Sequence, residues 1–248
     1  MNYKIDHCEP FDGKAENVWM KAEHIGRYLF AADFFAALGG GKILDAACAE
    51  GFGSRILWQN GCSVFGADIN EQYLRVASQR CCGHFEAVDL EAEELPSAFD
   101  GADGAVCFET IEHLSNGEAL LRKLAARLKE GAYLLLSFPN QAYEKVDEQG
   151  VNYDPYHKRI YSREEMLSAA REAGFSLVRE YGQSLCNALY GAESSAKAGG
   201  RLSQQEIDGL FRYDEESMTR LAKLIGYPTP TQVEDSYSFL WVLKKEIR

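Results

Sequence analysis

No apolar run in the sequence reaches the length of a membrane span, and its start, MNYKIDHCEP, lacks the basic-then-apolar pattern of an export signal. The seven cysteines include no C-x-x-C. Their odd number and mostly apolar, strand-like surroundings argue against a disulfide framework or a zinc site and for a reducing compartment. No repeat and no long low-complexity tract is present. Positive charge is scarce: Lys and Arg number 26 against 38 Asp and Glu, for a formal net charge of −12. A field of that sign repels phosphate backbones and anionic headgroups, so neither a nucleic-acid footprint nor a membrane anchor is expected. With 248 residues, 46% of them hydrophobic, the chain can bury a real core but is short for two average domains and a linker. These features predict a soluble, cytoplasmic protein of one domain over residues 1–248.

What is present is a change of period. Val18, Ala22, Ile25, Leu29, Ala32 and Phe35 recur at helical steps until Gly39-Gly40-Gly41 stops them, predicting a helical cap over 1–38. Short apolar runs then alternate with helical patterns. Strands are predicted at 42–46, 63–69, 83–88, 104–108, 132–138, 176–181 and 237–244, with helices at 54–59, 71–79, 117–129 and 162–173. Such alternation argues for βαβ units, an α/β fold and a mainly parallel sheet with helices on both faces, the core lying within 39–183. Residues 184–235 read as an insertion before the final strand (236–248), either a lid or a surface decoration, with one helix over 204–225. Gly191–Gly200, GAESSAKAGG, reads as a flexible loop.

Parallel sheets bind ligands beyond the carboxyl ends of their strands, and three strand ends here are acidic. The first is Asp45, followed by the small-residue run Ala46-Ala47-Cys48-Ala49-Glu50-Gly51, through which a backbone can approach a ligand closely. The second is Asp68, suited to ribose hydroxyls; the third is Asp89-Leu90, suited to an adenine amino group and ring. Each alone is as readily a turn former; three in order are harder to dismiss. A nicotinamide enzyme would place G-x-G-x-x-G after the first strand. Ala stands at two of those glycine positions, and Glu50 would repel a pyrophosphate. The Asp45 carboxylate suits a cationic ligand instead, such as a sulfonium.

From Glu23 to Phe175 the chain resembles a class I S-adenosylmethionine-dependent methyltransferase of the type 11/23 group. The family's D-x-x-x-G-x-G reads here as Asp45 to Gly51, with Ala49 where glycine is usual. The resemblance implies a Rossmann-like seven-stranded sheet and S-adenosylmethionine as cofactor, held by Asp45, Ala47, Gly51, Asp68, Ile69, Asp89 and Leu90. Phe108-Glu109-Thr110-Ile111-Glu112-His113 matches the segment lining the methyl-donor site, which brings in Glu109, and Ser137-Phe138-Pro139-Asn140 is also family-like. Glu23–Tyr28 and Tyr156–Ser162 look like segments of bacterial methyltransferases linked to sugars and surface polysaccharides. There the first lies against the cofactor, which implies Arg27, and the second borders the acceptor.

A hydroxyl acceptor needs a base with a pKa near 7, which points first to the five histidines. His7 has no supporting motif, and His84 sits in a strand-like stretch where a structural role is the default. His24 lies one turn before Arg27. A Glu23–Arg27 pair four residues apart reads first as a surface contact, and second as part of a cofactor-carboxylate site. His113, just past the fourth strand, is the first candidate for base or orienting residue, and His157 the second; each also reads as an ordinary turn or loop residue. Glu91–Glu94 reads as a solvated acidic stretch. Tyr190, Phe211, Tyr213, Tyr227 and Tyr237 read equally as pocket lining and as packing. No His/Asp/Glu group has metal-ligand spacing, so no metal is expected. The expected activity is O-methylation of a small-molecule acceptor, with a sugar or sugar nucleotide in view. An N- or C-methyltransferase, a non-catalytic cofactor binder and a nicotinamide enzyme stay as alternatives.

Overall fold

The computed structural model describes residues 8–145, 147–148, 152 and 154–247; His7 lies outside them. Its strands are β1 (Gly41–Ala46), β2 (Cys62–Asp68), β3 (His84–Ala87), β4 (Ala102–Cys107), β5 (Leu128–Pro139), β6 (Phe175–Gly182) and β7 (Ser238–Lys245). They form one sheet in the order β3-β2-β1-β4-β5-β7-β6. The first five are parallel, and β7 runs antiparallel between β5 and β6. The winding direction therefore reverses between β1 and β4, where Ala46 lies opposite Cys107. The loops leaving Ala47 and Phe108 thus open side by side, the place where such sheets take ligands.

Helices cover both faces, as the apolar pattern requires. Ile43, Val106, Leu135 and Val242 point to the side of α1 (Val18–Ala37) and α2 (Phe52–Gln59). The alternate residues Leu44, Ala105, Leu134 and Leu243 pack with α4 (Gly117–Arg127) and α5 (Arg163–Glu172). Helix α3 (Glu71–Arg80) starts where the Asn70 side chain accepts the Gln72 N–H, and α5 starts on a reciprocal Ser162–Glu165 cap. No helix among the described residues is long and apolar enough to cross a membrane.

The segment between β6 and β7 departs from the sequence reading in two ways. Gly191–Gly200 is not a loop: α6 runs from Ser184 to Ala198 and only Gly199-Gly200 end it. Alanines carry the helix through Gly191, and its inner side buries Cys186 while Glu193 accepts the Trp19 Nε1–H from α1. The expected helix over 204–225 is broken into α7 (Gln204–Asp208), α8 (Glu215–Leu221) and a wide turn, Ala222–Gly226. Ser203 and Asp214 each cap a new start, and Gly209 ends the first piece. The wide turn packs directly on α1. A Cβ at Gly26 would fall 2.0 Å from the Gly226 carbonyl oxygen, so only glycine permits this backbone-to-backbone approach.

Candidate active site

The loop after β1 is tight. Ala47 (φ 60°), Ala49 (φ 47°) and Gly51 (φ 75°) all lie in the left-handed region, which costs an L-residue roughly 1–2 kcal/mol. Ala49 donates its N–H to Asp68 Oδ2 at 2.9 Å, and Asn70 donates to Oδ1 at 2.9 Å, so Asp68 ties the ends of β1 and β2 together. Because Ala49 occupies a conformation that suits glycine, Ala49→Gly is expected to raise stability by up to about 1 kcal/mol. A thermal melt reads this, and an unchanged or lower midpoint contradicts it.

Asp45 sits beneath that loop. It is wholly buried and accepts hydrogen bonds from Tyr28 (2.9 Å) and Ser54 (2.6 Å). Burial pushes its carboxyl up to about 7, against those two hydrogen bonds. Its work here is to pin α1 and α2 to β1. Gly53 belongs to the same junction, because a Cβ there would enter the Tyr28 ring. Asp89 is half-buried, and its Oδ1 accepts the N–H groups of Glu91 (2.9 Å) and Ala92 (3.1 Å). Leu90 is buried in the core and Ile69 half-buried in the turn before α3. Glu91 is not merely solvated: it accepts from the Ser115 N–H and the Lys158 ammonium, tying this corner to the turn after β4.

Arg27 and Glu23 do pair, at 3.6 Å, but in the interior and not on the surface. The reason is that the opposite wall arrives from 156 residues away. Gln183, at the end of β6, accepts the Arg27 Nε–H at 2.9 Å and donates to the carbonyls of Glu23 and Gly226. Arg27 Nη1 is buried with no hydrogen-bond partner among the described residues and stands 3.7 Å from Glu109 Oε1. Glu109, itself left-handed (φ 45°), accepts from Ser137 (2.6 Å) and Ser238 (2.7 Å) at the ends of β5 and β7. Burial raises its carboxyl, but Arg27 and the Ser137 hydroxyl outweigh burial and hold it below the usual range. Glu23 goes the other way: burial lifts it to about 7 against the pull of Arg27.

A third group completes the wall. The turn Ile111–His113 follows β4, and the 156–159 segment docks on it through Arg159 N–H to the Glu112 carbonyl (3.0 Å) and His113 Nδ1 to the Tyr156 carbonyl (3.0 Å). This docking brings the His113 and His157 rings to 5.0 Å between centroids. His157 Nδ1 lies 3.0 Å from Glu144 Oε2. Burial lowers the His157 pKa, and the hydrogen bond and charge of Glu144 more than restore it, leaving it above its usual value. A cavity of about 510 Å³ runs along these groups, from Arg27 and Glu109 to His113 and His157, with Trp19 and Tyr237 among its walls.

The fold thus gathers Arg27, Glu109, His113 and His157 on one cavity, with Asp68 and Asp89 at the neighbouring strand ends and Asp45 in support. Of the late aromatics, Tyr190 and Tyr237 line the cavity; Phe211 stacks edge-on to Trp19 and Tyr227 bonds Asp33. The sequence reading did not single out Glu144, Gln183 or Ser238, and it held Glu112 and Ser137 only as members of family-like segments. Ser137 and Ser238 share one signal, a polar side chain near the end of a buried strand; Gln183 and Glu144 have none.

A family model described as a methyltransferase domain matches residues 22–180. A probable S-adenosylmethionine-dependent methyltransferase of Mycobacterium tuberculosis is 25% identical over 196 residues, 77% of this chain and 67% of the relative. A ubiquinone biosynthesis O-methyltransferase of Pseudomonas aeruginosa is 34% identical over 113 residues, 43% of this chain and 47% of the relative. Among solved structures, magnesium protoporphyrin IX methyltransferase from Synechocystis with S-adenosylmethionine bound matches with a TM-score of 0.58. The match covers 95% of this chain and 86% of that one, at 18% identity. A [4+2]-cyclase matches with a TM-score of 0.56, 18% identity and coverage of 90% and 81%. Likeness at that identity is a likeness of fold, and one fold carries many chemistries.

Proposed function

The chain belongs to the methyltransferase-domain family and is a class I S-adenosylmethionine-dependent methyltransferase; from that premise we propose that it methylates a hydroxyl of a small-molecule acceptor held against His113 and His157. S-adenosylmethionine, when bound, supplies a methyl group already activated on a positively charged sulfur. The residues present fit that cofactor: Arg27 Nη1, buried at the cavity wall, makes no hydrogen bond among the described residues and only a 3.7 Å ion pair with Glu109, which leaves it donors for an anionic group such as a carboxylate. In this reading Arg27 takes the cofactor's carboxylate and the Ala47–Gly51 loop meets its amino-acid part. Asp68 with Ile69 takes the ribose, and Asp89 with Leu90 the adenine. Glu109 orders the wall between cofactor and acceptor.

One observation carries the acceptor side: the same cavity runs from the Arg27–Glu109 end to the His113–His157 pair. Aligning acceptor and donor in such a cavity supplies on the order of 7–11 kcal/mol, and the polar cluster gives the hydroxyl proton a way out. Trp19, Tyr143, Tyr190 and Tyr237 interleaved with Asn152, Asp154 and Glu144 suit a polyhydroxylated, sugar-type acceptor. The relative named for ubiquinone O-methylation supports oxygen as the acceptor atom. The test is His113→Ala with a panel of sugar nucleotides and small hydroxylated metabolites. Turnover is expected to fall by about 10²–10⁴-fold while S-adenosylhomocysteine binds as in the wild type. A nucleophilic amine needs far less help with its proton, so an unchanged rate in His113→Ala points to an N-acceptor and overturns the reading.

A further inference from the structure

The floor of the cavity holds three ligating side chains that the linear spacing keeps apart. One ligand atom each from Glu112, His113 and His157 lies within 4.8 Å of the other two. We propose that these three residues form a divalent-cation site, taking a first-row transition ion such as Mn²⁺, Co²⁺ or Zn²⁺, whose open positions receive oxygen atoms of the acceptor. The proposal rests on the reading of this cavity as the place of a hydroxyl acceptor.

Glu112 points to a cation. Its side chain is wholly buried, and neither carboxylate oxygen has a hydrogen-bond partner among the described residues. The nearest imidazole nitrogen, His113 Nε2, is 3.8 Å away, beyond hydrogen-bond distance. Burying a carboxylate without a partner costs several kcal/mol, and a bound cation is the partner that removes that cost.

The arrangement behind the imidazoles points to the same ligand. His113 Nδ1 faces the Tyr156 carbonyl oxygen at 3.0 Å, which can only accept, so the proton sits on Nδ1 and the lone pair on Nε2. His157 Nδ1 faces Glu144 Oε2 at 3.0 Å, an acceptor that favours the proton on Nδ1, while Nε2 stands 3.8 Å from Asp154 Oδ2, beyond hydrogen-bond distance. Glu144 is itself held by the Asn152 amide and by the Tyr237 hydroxyl at 3.4 Å. An imidazole fixed by a carbonyl or carboxylate at one nitrogen, presenting the other, is how metal-bound histidines are oriented. Two imidazoles and one carboxylate select a first-row ion over Mg²⁺ or Ca²⁺. Three protein ligands also leave positions open, and all three residues line the cavity. A hydroxyl on the cation would release its proton to water at lower pH than a free one does.

Mn²⁺ alone is the probe. The full chain, stripped with EDTA, is titrated with Mn²⁺ and the free ion followed by EPR. One ion per chain is expected, with binding weakened by more than about 100-fold in Glu112→Gln and His157→Ala, and by about 10–100-fold in Glu144→Gln. Calorimetry with S-adenosylhomocysteine on each variant, expected at wild-type affinity, shows that the fold and the cofactor end are intact. No saturable binding to the wild type up to about 1 mM, or equal binding by Glu112→Gln and His157→Ala, overturns the site. If no hydroxyl is methylated but one Mn²⁺ still binds and is lost in those variants, the acceptor reading falls and the site stands. If methylation proceeds unchanged in EDTA and Mn²⁺ does not bind, the site falls and the acceptor reading stands.

Discussion

Arg27→Met is expected to cost roughly 3–5 kcal/mol of stability and to weaken the binding of S-adenosylmethionine. Arg27 is 1% exposed, and its guanidinium serves Gln183, Glu23 and Glu109 together. Methionine fills most of its volume but leaves two carboxyl groups facing each other in the interior without a cation. Glu23, already lifted to about 7 by burial, meets part of that cost by taking up a proton, and Glu109 follows once its counter-charge is gone. Both groups then bind protons in the folded state that the unfolded chain does not hold, so stability falls as pH rises through their folded values. The deficit is therefore larger at pH 8 than at pH 6. Urea unfolding of wild type and variant at the two pH values measures it. A loss below about 1 kcal/mol, the same at both, would mean that the guanidinium is no more than a surface charge.

Asp68→Ala is expected to cut affinity for S-adenosylhomocysteine by about 10²–10⁴-fold. Each hydrogen bond from a ribose hydroxyl to a carboxylate is worth roughly 1.5–3 kcal/mol, and two are lost, at about 1.4 kcal/mol per factor of ten. One lone pair on each Asp68 oxygen is already taken, by the N–H groups of Ala49 and Asn70. A carboxylate has room for more, so the residue can hold the loop and the ligand at once. Asp68→Asn keeps an acceptor for one of those N–H groups and separates the two roles, retaining more of the fold while losing the ribose. Calorimetry beside NAD as a control decides. An affinity in Asp68→Ala equal to the wild type's would place the ribose elsewhere than the end of β2.

The sheet was legible because its strands are short apolar runs bounded by glycines and acids, and their order and type follow from the alternation with helices. Strand ends came within a few residues for the same reason; β5 began earlier, at Leu128, because its first residues are polar. The crevice between β1 and β4 could be foreseen from Asp45, Asp68 and Asp89 falling at successive strand ends. The interior of the site could not. A helical pattern identifies which face of α1 is apolar, not what packs on it, so Glu23–Arg27 read as a surface pair until Gln183 and Gly226 arrived from the far end of the chain. His113 stands out for its chemistry and its place just past the fourth strand, and His157 for its chemistry and a segment that resembles an acceptor border. Their meeting depends on one backbone hydrogen bond, Arg159 to Glu112, and one from the His113 ring to the Tyr156 carbonyl, both between irregular segments that no periodicity records. The same contacts create the Glu112–His113–His157 group that linear spacing hid. In α6, glycine and serine content suggested a loop, and burial against α1 overrode it.

Transfer of a ¹³C-labelled methyl group from S-adenosylmethionine, followed by NMR of the product, tests the account at its centre because it reads the atom that receives the methyl. The expected label is on oxygen of a hydroxylated small molecule, formed by the wild type and reduced by about 10²-fold or more in His113→Ala with S-adenosylhomocysteine still bound. A label on nitrogen or carbon, or the same rate of O-methylation without His113, would contradict it.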